Sequence, residues 1–216
     1  AVDVLRGLGC RKVSCIPPGV DPEDIAPCEP AELGPGPWVV YAGNPDAYQD
    51  LDVLVEAVRR LDGRVGLLMV SSSPLDHWER QGLPKARFIV TPSYAEVRRW
   101  MAAATLAALP RTTCSGYPIK LLNYLGMGLV TVAARGSARP LPGVVAVPDH
   151  DADAMAREIE ALVKHPDRRK ALGEDARAHV LRHCTWAARA VDLEAVYRQV
   201  LSEQPHRGVR RGSQPV

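Results

Sequence analysis

The sequence predicts an α/β protein: a doubly wound, mainly parallel sheet with helices on both faces and more helices at its C-terminal end. Two patterns lead there. Between residues 38 and 147, short apolar runs alternate with stretches whose apolar residues recur at helical spacing. Strands separated by amphipathic helices pair in parallel, because each crossover carries the chain back over the sheet. The runs themselves, such as Trp38-Val39-Val40-Tyr41-Ala42 and Val130-Thr131-Val132-Ala133-Ala134, lack the in–out alternation of a half-exposed sheet, which marks strands covered on both faces.

Residues 1–28 read as an opening segment, with Lys12 to Ile16 a short strand and Pro17-Pro18-Gly19-Val20-Asp21 a turn, since paired prolines exclude helix. Val2 to Leu5 has no preceding layer to pack on, so the segment is expected to arrive from a missing N-terminal domain of a larger protein. Residues 29–37 hold three prolines and two glycines and read as a linker.

A domain over residues 38–204 follows. Trp38 to Gly43 is a strand; Leu51 to Leu61 is a helix striped by Leu51, Leu54, Val55 and Val58. Val65 to Val70 and Arg87 to Val90 are strands flanking a weak helix at Leu75 to Gln81. Tyr94 to Ala104 is a helix started by Ser93 with Glu96 in its first turn. Leu106 to Leu109, Val130 to Ala134 and Val144 to Val147 complete a sheet of about six strands. Beyond Pro148 come three helices with no strand between them, Asp151 to Lys164, Arg168 to His183 and Trp186 to Glu203, expected to lie against the edge of the sheet. Residues 205–216 carry no core-forming pattern and are expected to be a disordered tail.

Composition narrows the function. At 216 residues and 46% hydrophobic, the chain can bury a full core, while a net charge of +2 and 5% aromatics give no case for nucleic acid. Five cysteines without a CxxC spacing fit reduced thiols, and no apolar run is long enough to cross a bilayer. The expected location is the cytoplasm, with peripheral contact at a membrane left open by Arg207, Arg210 and Arg211.

The segment Ser115-Gly116-Tyr117-Pro118-Ile119-Lys120-Leu121-Leu122-Asn123-Tyr124 is the richest in chemistry. It reads as a glycine turn opening a short helix, where free N–H groups and the helix dipole favour an anion. Lys120, Asn123 and Tyr124 fall on one side, Ile119, Leu122 and Leu125 on the other. A lysine and an amide beside an anion-binding turn can hold a phosphate and a sugar hydroxyl together; a sheet-packing helix with one snorkelling lysine explains the same pattern. Gly43, at the tip of the first strand and followed by Asn44 and Gln49, allows a ligand close to the backbone, or simply ends a strand. Neither GxGxxG nor GxxxxGK[ST] occurs there. His179 and His183 have metal-ligand spacing but no evident third ligand, and Asp149, Asp151 and Asp153 fit helix capping better than a cation. No metal or other cofactor is expected.

Taken together, Ile16-Pro17-Pro18-Gly19-Val20-Asp21, Val40-Tyr41-Ala42-Gly43-Asn44 with Tyr48-Gln49-Asp50-Leu51-Asp52-Val53-Leu54, the segment just described, and Thr185-Trp186 with Val196-Tyr197 resemble one family in order and spacing. It is the C-terminal, donor-binding domain of retaining glycosyltransferases of the GT-B fold, group 1, family 4 type, over roughly residues 13–203. The resemblance implies a Rossmann-like half that binds a nucleotide-diphosphate sugar as substrate. Its last helix would cross to an N-terminal half holding the acceptor, whether glycan, lipid or small molecule.

It also implies contacts to the donor from Gly43, Asn44, Gln49, Ser115, Gly116, Tyr117, Lys120, Leu121 and Asn123, with Lys120 and Ser115 nearest the chemistry. The family's arginine and lysine after the first strand are here Asn44 and Gln49, and its two glutamates are Ser115 and Asn123. Four charged contacts are neutral. Two readings follow: an active transferase with a rewired phosphate clamp, or a degenerate non-catalytic domain that serves as partner or scaffold.

Overall fold

The computed structural model describes residues 2–114 and 116–203. The predicted tail at 205–216 and Ser115 lie outside the described residues. After α1 (Val2–Gly7) the chain runs β1 (Trp38–Ala42), a 3-10 turn (Ala47–Gln49), α2 (Leu51–Arg60), β2 (Gly66–Ser71), α3 (Asp76–Glu79), β3 (Ala86–Val90), α4 (Tyr94–Ala103) and β4 (Leu106–Leu109). It continues through α5 (Ile119–Gly126), β5 (Thr131–Ala134), β6 (Val144–Val147), α6 (Ala152–Lys164), α7 (Pro166–His183) and α8 (Trp186–Glu203). Every pairing among the six strands is parallel, in the order β3-β2-β1-β4-β5-β6.

Alternate residues of each strand face opposite layers. Val39, Tyr41, Leu67, Met69, Leu106 and Val132 pack against α2, α3 and α6. On the other face Val40, Ala42, Leu68 and Ala107 meet α4 and Tyr124, while Leu109 and Ala133 meet α5 and α7. The helix starts follow their predicted caps: Ser93 accepts from the Glu96 N–H and Asp151 from the Ala154 N–H. Asp149 accepts from the Gly136 N–H at 2.9 Å and Asp153 pairs with Arg60 at 3.0 Å, so these acids are engaged within the fold.

Three details differ from the sequence reading. Residues 12–16 form no strand; the opening segment first pairs at Val20, bridged to Thr185 where α7 hands over to α8. Lys12 to Ile16 reaches no sheet edge and leaves most of its side chains exposed, so no ladder rewards an extended backbone. Second, α6 and α7 do not line one edge of the sheet. The first packs beside α2 and the second beside α5, on opposite faces. Third, Ile119 is half-exposed whereas Tyr124 is buried. The first turn of α5 stands above the carboxyl edge of the sheet, with no strand beneath it to cover an isoleucine.

The order places the topological switch between β1 and β4, where ligands of doubly wound sheets bind. These two strands pair only at Val39–Leu106 and Val40–Ala107 and then part. Tyr124 fills the opening: its hydroxyl accepts from the Ala42 N–H at 2.8 Å and donates to the Ala42 carbonyl at 3.1 Å. Tyr124→Phe leaves that buried N–H without an acceptor and should cost about 1–3 kcal/mol, read as a lowered urea midpoint at unchanged m-value.

Candidate functional site

Two clefts open at the carboxyl ends of the strands, on either side of one lysine. The first, of about 280 Å³, is lined by Gly43 and Asn44 after β1, Ser71 and Ser72 after β2, Thr91, Pro92 and Tyr94 after β3, and Asn123 and Tyr124 of α5. The second, of about 240 Å³, is lined by Asn44, Tyr48, Gln49, Arg111, Tyr117, Pro118 and Ile119. Lys120 and Asn44 belong to both.

Lys120 reaches this wall because Gly43 has no side chain. A Cβ at Gly43, whose φ is +144°, would collide with the lysine Nζ and Cε, so glycine is required there both for the backbone and for the approach. The ammonium donates to the Tyr41 hydroxyl at 2.7 Å and lies 4.6 Å from that ring's centre. The Tyr41 hydroxyl in turn donates to the Asn44 carbonyl at 2.7 Å, which fixes the turn after β1. Burial, and next the like charge of Arg111, push the Lys120 pKa down to about 8, with Asp46 acting the other way. Near neutral pH the group is still a cation.

The predicted site residues fall into three groups. Gly43, Asn44, Gln49, Tyr117, Lys120 and Asn123 come together around the two clefts. Gly116 sits on the exposed turn before α5, where its carbonyl accepts from Arg139 at 3.2 Å. Leu121 does not reach either cleft: it is fully buried among Leu109, Leu122, Ala133 and Val180, because its position on α5 points into the layer between sheet and α7. Gln49 lines the second cleft but is nine-tenths or more buried, and its Oε1 has no hydrogen-bond donor.

The sequence reading missed Tyr41, Ser72, Thr91, Tyr94 and Arg111. The rule that ligands sit beyond strand ends points to Ser72, Thr91 and Arg111, the residues that follow β2, β3 and, after Pro110, β4. Nothing in the spacing marks Tyr41, whose role depends on a lysine 79 residues away. Among the described residues no cluster of three or more His, Cys, Asp or Glu could hold a metal, and no helix is long and apolar enough to cross a membrane. The His179 and His183 rings lie 4.9 Å apart on α7.

A family model described as "Glycosyl transferases group 1" matches residues 36–165, more than half of the chain and all the strands that form the clefts. The chain belongs to the group 1 glycosyltransferases. D-inositol 3-phosphate glycosyltransferase of Xylanimonas cellulosilytica is 29% identical over 96% of this chain, which spans 56% of that relative. Sucrose-phosphate synthase of Thermosynechococcus elongatus superposes with a TM-score of 0.78 at 19% identity, over 94% of this chain and 57% of its own. Anabaena HepE, solved with UDP and glucose, superposes with a TM-score of 0.62 at 14% identity over 77% of this chain and 49% of that one. The last two likenesses concern the fold, that of the GT-B transferases. In length, the chain spans about half of the relatives that cover it best.

The partly buried ammonium of Lys120 has a sign-determined effect on stability. Lys120 binds its proton with a pKa of about 8 in the fold and near 10.4 in the unfolded chain. Between those values the unfolded chain holds more protons, so stability should rise as pH increases from about 8 towards 10. Above that, Tyr41 and Tyr124, whose pKa values burial raises, work in the opposite direction. Lys120→Met should raise the thermal midpoint at pH 7 and flatten the rise between pH 8 and 10, as followed by circular dichroism melts.

Proposed function

We propose that this chain is the donor-binding half of a retaining glycosyltransferase whose substrate is a nucleoside-diphosphate sugar. One observation carries the reading: the partly buried ammonium of Lys120 lies on the shared wall of two clefts at the switch point of the sheet. A nucleoside-diphosphate sugar has the matching shape, with an anionic centre between two neutral ends. The nucleoside would occupy the larger cleft, its base near Thr91, Pro92 and Tyr94 and its ribose hydroxyls at Asn123. The diphosphate would lie over Gly43 against Lys120, and the sugar would enter the second cleft, between Asn44, Gln49 and Tyr117.

In the transfer, the bond from the anomeric carbon to the distal phosphate oxygen breaks, a bond to an acceptor oxygen forms, and the acceptor hydroxyl's proton passes to the departing diphosphate. Negative charge develops on the departing diphosphate. Lys120 and the N–H groups that open α5, from the turn at Gly116 and Tyr117, would stabilise it. The mechanism calls on no metal and no cofactor. The acceptor would be held by an N-terminal half, against which α8 would lie. That helix has no buried residue and exposes Trp186, Val191, Tyr197 and Leu201.

The alternative is a partner or scaffold that has lost transfer, favoured by the neutral side chains at Asn44, Gln49 and Asn123. Calorimetry with uridine, guanosine and adenosine diphosphates and with the parent nucleosides separates the two. The donor reading expects diphosphate binding that Lys120→Ala weakens by about 1.5–3 kcal/mol, roughly 10- to 150-fold, with little change for the nucleoside. Equal losses for both ligands would reduce Lys120 to a structural role, and no diphosphate binding by the unmutated chain, even with an N-terminal half restored, would favour the scaffold.

A further inference from the structure

The second cleft contains a cation that the family comparison does not lead one to expect. Arg111 follows β4 and Pro110 and lines that cleft with Asn44, Gln49 and Lys120. Its guanidinium lies 4.8 Å from the centre of the Tyr48 ring, and its Nε donates to the Thr113 carbonyl. Among the described residues it makes no salt bridge. A partly buried arginine without a carboxylate, its guanidinium over an aromatic ring and beside a second cation, is arranged for an anion from outside.

The backbone that carries it is built for that position. The Asp50 carboxylate accepts from the Thr112 N–H at 2.7 Å and from the Thr112 hydroxyl at 2.8 Å. Asp50 itself has φ +53°, a conformation that aspartate tolerates better than most residues. The Ser137 hydroxyl donates to the Arg111 carbonyl. A Cβ at Gly136 would collide with the Thr112 carbonyl, so glycine there lets the two loops meet. Beyond the Nε bond to the Thr113 carbonyl, these ties do not use the guanidinium, so most of what holds the loop remains when Arg111 is changed.

We infer that Arg111 is the second cation of the donor site: it takes the phosphate distal to the nucleoside while Lys120 takes the centre of the diphosphate, replacing from the end of β4 the positive charge absent at Asn44 and Gln49. The inference rests on the donor reading above for the identity of the anion. It is a rewired clamp in which the two cations come from the loop after β4 and from α5. The like-charge pair costs the empty site something, which the diphosphate relieves on binding. The groups facing Lys120 are Arg111, Asp46, Tyr41 and Tyr124, and Arg111 alone among them lowers its proton affinity by charge.

The test is calorimetric titration of the 216-residue chain and of Arg111→Gln and Arg111→Lys with uridine diphosphate, uridine monophosphate and inorganic pyrophosphate across pH 6.5–9.5. Arg111→Gln should weaken diphosphate binding about tenfold or more and monophosphate binding less than threefold, with Arg111→Lys between. In Arg111→Gln the pH at which binding falls off should move upward, because Lys120 keeps its proton longer without a neighbouring cation; a merely structural arginine would not move it. Tyr48→Phe keeps the ring and should bind as the parent does. Equal losses for mono- and diphosphate, or none, overturn the inference. If the chain takes pyrophosphate but no nucleotide, and Arg111→Gln abolishes that, the anion site stands and the donor reading falls. Binding of neither probe, by the chain alone and with an N-terminal half restored, overturns both.

Discussion

The parting of β1 from β4 is the constraint on which this molecule is arranged. Two parallel strands that pair over two positions and then diverge leave backbone groups exposed between them at the centre of a dry sheet. An unpaired buried N–H costs as much as several weak contacts supply. Tyr124 closes the gap with a hydroxyl that both accepts and donates, and thereby sets the height and rotation of α5. Once α5 is fixed, Lys120 has one direction to go, across Gly43 to Tyr41. The lysine, the two clefts and the turn after β1 are consequences of the same gap.

The site so formed is expensive when empty. A half-sheltered ammonium beside a guanidinium is disfavoured by burial and by repulsion, both of which lower the lysine's proton affinity. Tyr41 offsets part of this with a hydrogen bond and its ring face. On the proposed reading, a dianionic ligand would offset the rest and would be favoured over a singly charged one.

Much of the sheet was legible along the chain. Leu106–Leu109 and Val144–Val147 lie where the apolar runs predicted, and the other strands agree to within a residue or so, because strands covered on both faces need no alternation and stand out as uninterrupted runs. Ser93 and Asp151 announced their helices through side chains whose reach is local. The short strand at Lys12 to Ile16 was misread for the opposite reason. An extended apolar run becomes a strand only where a partner edge is within reach, and the edge is a property of the whole sheet. Leu121 was placed among the donor contacts by resemblance, yet α5 rotates it into the core.

The amino-acid order by itself determined the α/β class, the sheet's composition and the helix starts, since each depends on residues within a turn or two of one another. Only the tertiary structure decided what surrounds Lys120. Tyr41, Asn44, Gln49 and Arg111 come from two loops and a strand distant in sequence, and their distances are set by how far β1 and β4 diverge. Periodicity records which face a residue presents. It does not record the separation of two strand ends, and at this site that separation determines which charges meet.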